Sequence, residues 1–177
     1  MHRLFVAIRP SRDIRDALLT TMGGVAGARW QDDGQLHLTL RFIGEVDRRT
    51  AEDVAVALSS IHFNRFEVAL ASIGTFERRG QPHVIWAGVV ASHMLKALRA
   101  KVDQACVRAG LEPERRAFHP HITLARLGRT AGPVAAAFDA SPLVSALRFE
   151  ATEFALFESR LSDDGATYEP IASYPLD

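Results

Sequence analysis

The apolar positions of this chain follow two rhythms. Leu4 to Ile8 is an unbroken apolar run stopped by Pro10, and it reads as a buried strand. Ser11 opens a helix to about Met22, with Ile14, Ala17 and Leu18 on one face and Gly23, Gly24 and Gly27 behind it. Gln35 to Phe42 alternates like a half-buried strand, and Gly44 interrupts it. Thr50 caps a second helix with Val54, Ala57 and Leu58 inward. Phe66–Ile73 and His83–Val90 are strands separated by a loop at 77–82. Ser92 starts a third helix carrying Leu95, Leu98, Val102 and Cys106, ended by Gly110. Pro120–Arg126 is a strand, a short helix lies around Pro133–Phe138, and Leu147–Phe157 with Thr167–Tyr174 close the chain as strands. Helices and strands mix without strict alternation, which predicts an α+β fold with antiparallel pairing.

The same pattern contains an internal repeat. His37-Leu38-Thr39-Leu40 returns as His121-Ile122-Thr123-Leu124, an offset of 121 − 37 = 84, and Gly44 returns as Gly128 at 128 − 44 = 84. Phe66-Glu67 returns as Phe149-Glu150 (149 − 66 = 83), and Phe76-Glu77 as Phe157-Glu158 (157 − 76 = 81). The strand and helix at 4–22 match those at 84–110. Residues 1–177 are therefore expected to form one bilobal domain, two similar lobes packed about a pseudo-two-fold axis.

Composition narrows the function. Lys+Arg and Asp+Glu both total 21, so the net charge is zero, which argues against a protein that grips long duplexes electrostatically. The single cysteine, Cys106, excludes an intrachain disulfide framework and a Cys-based zinc site. No apolar run is long enough for a signal sequence or a membrane span. A cytoplasmic, monomeric protein with no membrane partner is expected.

The repeated tetrapeptide carries the chemistry. On a strand, residues i and i+2 share a face. His37 and Thr39 then point one way and Leu38 and Leu40 the other, and His121 and Thr123 likewise oppose Ile122 and Leu124. The aliphatic face serves the core, whereas a His/Thr face is useful along a cleft. Two-fold related lobes would bring both pairs to that cleft. Paired imidazoles can serve as general base and general acid near neutral pH. The hydroxyls are neutral donors for phosphoryl oxygens. The set suits in-line attack at phosphorus with no metal and no cofactor. His119 and His121 stand at i and i+2, but no third metal ligand accompanies them at a recognisable spacing.

With these motifs the sequence resembles the two-histidine (2H) phosphoesterase superfamily, specifically the RNA 2′,3′-cyclic phosphodiesterases historically called 2′-5′ RNA ligases. The stretches that carry it are Arg3–Ile8, His37–Val46, Val84–Gly88, Phe118–Arg126 and Leu156–Leu161. The resemblance implies a bilobal fold with the histidines in a central cleft. It also implies metal-independent opening of RNA 2′,3′-cyclic phosphate termini to 2′-phosphomonoesters, with a reverse 2′-5′ joining reaction. Carried over by motif, His37 is the general acid, His121 the general base, and Thr39 and Thr123 hold the non-bridging oxygens. Phe42 is implied as the residue that stacks on the terminal base and Arg126 as a phosphate contact, while His119, outside the carried-over set, orients substrate or faces solvent. Strand parity places both Phe42 and Arg126 off the His/Thr face, so each needs a bend in its strand.

Between residues 108 and 129 five Arg (108, 115, 116, 126, 129) outnumber Glu112 and Glu114 by 5 − 2 = 3, which fits an anionic ligand beside the second motif. Trp30, Trp86 and the Phe at 63, 66, 76, 138, 149 and 154 read as core. Two alternatives stand beside the RNA-terminus reading. One is a phosphodiesterase acting on a small cyclic or 2′-5′-linked nucleotide, and the other is an RNA-end-binding module without catalysis.

Overall fold

A computed structural model describes residues 1–177. Its strands are β1 (His2–Ile8), β2 (Ala28–Trp30), β3 (Leu38–Val46), β4 (Phe66–Arg78), β5 (Gln81–Val89), β6 (His121–Leu127), β7 (Arg148–Ala151), β8 (Glu153–Ser162) and β9 (Gly165–Pro175). The helices are α1 (Arg12–Thr20), α2 (Arg48–Ser59), α3 (His93–Arg108) and α4 (Ser141–Ser145). The fold is α+β. Every strand pair is antiparallel, and the order is β7-β4-β5-β6-β3-β1-β8-β9, with β2 added on β6.

That order is a palindrome in repeat terms. β3 and β6 carry the repeated tetrapeptide, β1 and β5 flank them, and β8 and β4 come next. β3 and β6 meet at one residue pair, Leu38 opposite Ile122. These positions are 122 − 38 = 84 apart, so the pair lies on the pseudo-two-fold axis. Both side chains are fully buried. One sheet therefore runs through both halves, and its narrowest seam is a buried aliphatic contact.

The main core lies on the helical side of the sheet, where Leu4, Val6 and Ile8 of β1 meet Ile14 and Leu18 of α1, Val54 and Leu58 of α2, and Leu98 and Val102 of α3. Phe5 and Ala7 point the other way and pack with Ala155, Phe157 and Tyr168. β1 is thus buried on both faces, which is why its sequence is a continuous apolar run.

The elements differ from the sequence pattern in local detail. β3 extends through Gly44, whose positive φ of 87° accommodates an irregular ladder with β1. Asp47, not Thr50, caps α2, accepting the Thr50 amide at 2.7 Å. Ser11 sits at the N-cap of α1 but turns its hydroxyl to Asp13 instead of a backbone amide. The 77–82 segment is a tight hairpin, closed by Arg79 and Gly80, both with positive φ. Residues 147–157 divide into two strands that pair at opposite ends of the sheet, β7 on β4 and β8 on β1. β2 is too short and too polar to stand out in the sequence.

One buried charge ties the halves together from behind. Arg41 of β3 is 8% exposed, bonds Asp103 of α3, and donates to the Glu112 carbonyl at 2.5 Å. Asp103 also accepts the Glu114 amide at 3.1 Å, so the segment leading to β6 is anchored on β3. Removing one partner of such a pair leaves the other charge buried and unmatched. Asp103→Ala is expected to cost about 2 kcal/mol in urea unfolding, and Arg41→Met in the same background to restore much of it.

Candidate active site

Each histidine is held the same way. The Nδ1 of His37 lies 2.6 Å from the carbonyl of Gln35, and the Nδ1 of His121 lies 2.6 Å from the carbonyl of His119. A carbonyl can only accept, so Nδ1 carries the proton in both rings and Nε2 remains the proton-exchanging atom. The Gln35 carbonyl is itself fixed. Asp32 and Gln35 form a reciprocal capping box around a 3-10 turn at Asp33–Gln35, and the Gln35 side-chain Nε2 donates to the Ala166 carbonyl at 2.7 Å.

Aromatic side chains wedge both imidazoles. Phe5 lies 4.8 Å from the His37 ring and Tyr168 meets it edge-on at 5.0 Å. Phe76 meets His121 edge-on, also at 4.8 Å, with Trp86 at 6.4 Å. Gly74 makes room for that arrangement, since a Cβ there would overlap the Trp86 indole. Phe76 therefore serves the site, although its sequence context reads as core.

A cavity of about 360 Å³ opens between the halves, lined by His37, Thr39, His121 and Thr123. Phe42 and Arg126 line it too. The bends they need are β-bulges at equivalent positions. Thr39 faces Ala7 and Arg41 faces Val6, leaving Leu40 as the extra residue. Thr123 faces Trp86 and Ala125 faces Ile85, leaving Leu124 as the extra residue. Each bulge shifts the parity by one, returning Phe42 and Arg126 to the His/Thr face. His119 is exposed, and its carbonyl, not its ring, reaches the site. Among the other basic residues near the second motif, Arg116 is paired with Glu114, whose carboxyl it holds down at about 2.

Sequence reasoning missed Arg3, Gln31, Ser159 and Tyr168, which also line the cavity. They come from β1, the strand end after β2, β8 and β9, with no shared motif to connect them. Arg3 and Ser159 lie within stretches that carry the family resemblance, and that was their only signal. No group of three or more His, Cys, Asp or Glu side chains gathers in a metal-binding arrangement.

The electrostatics of the two rings differ. Burial pushes the His37 imidazole down to about 4, opposed by its bond to Gln35 and reinforced by His121 and Arg126. Burial also lowers His121. Both rings are therefore biased toward the neutral form.

Two histidine–threonine pairs around one cavity, in a sheet that repeats itself across its middle, define a two-histidine phosphoesterase. The model of the LigT-like phosphoesterase family matches the chain twice, over residues 8–86 and 90–168, and the chain belongs to that family. An Aeropyrum pernix protein named RNA 2′,3′-cyclic phosphodiesterase is 41% identical over 97 residues, 54% of this chain and 55% of that protein. One of the same name from Geobacillus stearothermophilus is 30% identical over 97% of this chain and 56% of its own length. The matched part of the chain thus spans about half the length of these two relatives. A Thermus thermophilus protein of that name is 32% identical over 98% of this chain and 90% of its own. Escherichia coli LigT complexed with 3′-AMP superposes with a TM-score of 0.77 at 25% identity, covering 99% of this chain and 98% of that one.

The depressed His37 value has a stability consequence. The unfolded ring takes up its proton near 6.5, the folded ring near 4. The stabilisation is therefore complete above about pH 6.5 and is lost as pH falls toward 4. The loss amounts to about 3 kcal/mol over that window. Urea unfolding at about pH 7.5 and about pH 4.5 should show a clearly smaller acid loss in His37→Asn than in the unmodified chain.

Proposed function

We propose that this chain hydrolyses RNA 2′,3′-cyclic phosphate termini to 2′-phosphomonoesters. The observation that carries the reading is the convergence of His37, Thr39, His121 and Thr123 on one cavity between the repeats. The names of the relatives and the 3′-AMP complex of E. coli LigT support an RNA or nucleotide phosphate as the ligand.

In this mechanism water attacks phosphorus while the Nε2 of His121 removes its proton. The bond from phosphorus to O3′ breaks as O3′ leaves, and the Nε2 of His37 protonates it. Thr39 and Thr123 donate to the non-bridging oxygens, and Arg126 adds a positive charge on the same face. Phe42, 39% exposed, offers a face on which the terminal base stacks. The acid requires a charged His37, yet burial keeps that ring neutral in the free protein. The anionic phosphate supplies the missing attraction, so substrate binding draws a proton onto His37. With a 5′-hydroxyl attacking phosphorus in place of water, the same step breaks the P–O3′ bond and joins the two ends by a 2′-5′ bond. RNA ends are the partners in this reading, and a monomer suffices because both histidines come from one chain.

A short RNA ending in 2′,3′-cyclic phosphate tests it. The expected product is a 2′-phosphate, identified by mass and by phosphatase sensitivity, and a 3′-phosphate would overturn the acid and base assignment. His37→Ala and His121→Ala should each lower kcat by at least ~10²-fold, Thr39→Ala and Thr123→Ala by less. Turnover should persist in EDTA. The pH profile of kcat/KM should be bell-shaped with both limbs below 6.5, because in the free protein burial lowers the His121 base and the His37 acid alike. Turnover of small cyclic nucleotides in preference to RNA would favour the nucleotide alternative.

A further inference from the structure

A second cavity, of about 720 Å³, opens at the tip of the β4–β5 hairpin beside the loop after β6. Arg78 and Arg79 enter it from the hairpin and Arg129 from the loop, and no Asp or Glu lines it. None of the three guanidinium groups takes part in an ion pair. Arg79 holds a positive φ of 53°, a backbone state that Gly or Asn adopts with less strain, so a cation stands at the tip in spite of the local geometry. His83 also lines the cavity, and its Nδ1 is buried with no hydrogen-bond partner. Like charges that line one cavity are relieved by the oxygens of an anion.

Position identifies the anion. Arg126 lines the catalytic cavity and the next residue, Leu127, lines the second. With Leu124 bulged, Leu127 lies three ladder steps beyond Thr123, about 10 Å at ~3.3 Å per step, and it turns to the face opposite Arg126, so the second cavity lies round the end of β6 from the first. The second cavity has twice the volume of the first (720 against 360 Å³), room for more than one phosphate. We infer that it is a second phosphate-binding site, which takes the phosphodiester backbone of the substrate strand upstream of its terminal cyclic phosphate. This rests on the reading of the catalytic cavity as an RNA-terminus site. It makes the enzyme a reader of strand as well as of end.

The test compares the unmodified chain with the Arg79→Ala/Arg129→Ala double variant. Steady-state turnover is measured on a ten-nucleotide RNA with a 2′,3′-cyclic end and on 2′,3′-cyclic AMP. Binding of a labelled ten-nucleotide RNA with a 3′-phosphate is followed by anisotropy between about 50 and 200 mM salt. The variant should bind the RNA about tenfold more weakly at the low end and lose about 1.4 from its salt slope, ~0.7 per lost contact on a single strand. Its kcat/KM on the mononucleotide should be unchanged. Unchanged RNA affinity and salt slope in a folded variant would overturn the proposal, as would an equal loss on both substrates. Weaker competition by inorganic phosphate with RNA binding intact would identify a small-anion site and also overturn it. If the unmodified chain turns over neither substrate, the catalytic reading fails while the anisotropy still decides the cavity.

Discussion

Everything in this molecule hangs on the contact of Leu38 with Ile122. It is the whole of the β3–β6 ladder, and it joins equivalent residues of the repeat. Antiparallel pairing at a two-fold axis has a geometric consequence. Moving one residue either way from the pair sets His37 toward Thr123 and His121 toward Thr39. Each imidazole therefore faces the other repeat's hydroxyl, and a site that needs two histidines is assembled by a contact between two aliphatic side chains. The four polar groups stay on the open face because their neighbours, Leu38, Leu40, Ile122 and Leu124, are all committed to the core.

Such a narrow seam needs support, and it comes from behind the sheet. Arg41 follows the first bulge and so turns inward to Asp103 and the Glu112 carbonyl, while Asp103 holds the Glu114 amide. The segment before β6 is thereby tied to β3, and the Val89 amide donates to the Pro120 carbonyl at 3.0 Å. The His119 carbonyl that orients His121 lies between these anchors. Burial of a charged pair is costly in itself. Here its effect is directional, linking a strand of one repeat to the approach to the catalytic strand of the other.

Much of this was legible in the sequence because the repeat is written in the residues that build the seam. The paired tetrapeptides, the offset of 84 and the α+β class all follow from counting. What alternation could not reveal was the pair of bulges, because a bulge leaves composition unchanged and alters only parity. Phe42 and Arg126 consequently looked misplaced by one residue, although both line the cavity. Phe76 was hidden for another reason, since a buried aromatic beside an imidazole has the same local pattern as a core aromatic. Tyr168 belongs to the last strand, and only the β8–β9 hairpin brings it to His37. Long-range pairing of that kind leaves no local trace.

The two bulges also explain how a nearly symmetric cavity could treat an asymmetric substrate asymmetrically. Phe42 and Arg126 occupy equivalent positions, 126 − 42 = 84, each two residues beyond a bulged leucine. One repeat thus presents an aromatic face and the other a guanidinium at the same place. In a cyclic phosphate O2′ and O3′ are close to interchangeable around phosphorus, and two identical histidine–threonine pairs would not distinguish them. In the proposed reaction a base stacked at the Phe42 end would fix the ribose relative to the axis and assign one bridging oxygen to each histidine. The difference in burial acts in the same sense, since His37 is the more deeply desolvated ring and its charged form depends more on the bound anion. Selectivity for the bond that breaks would then arise from one substitution between repeats, Phe against Arg, set on a backbone kink that the repeats share.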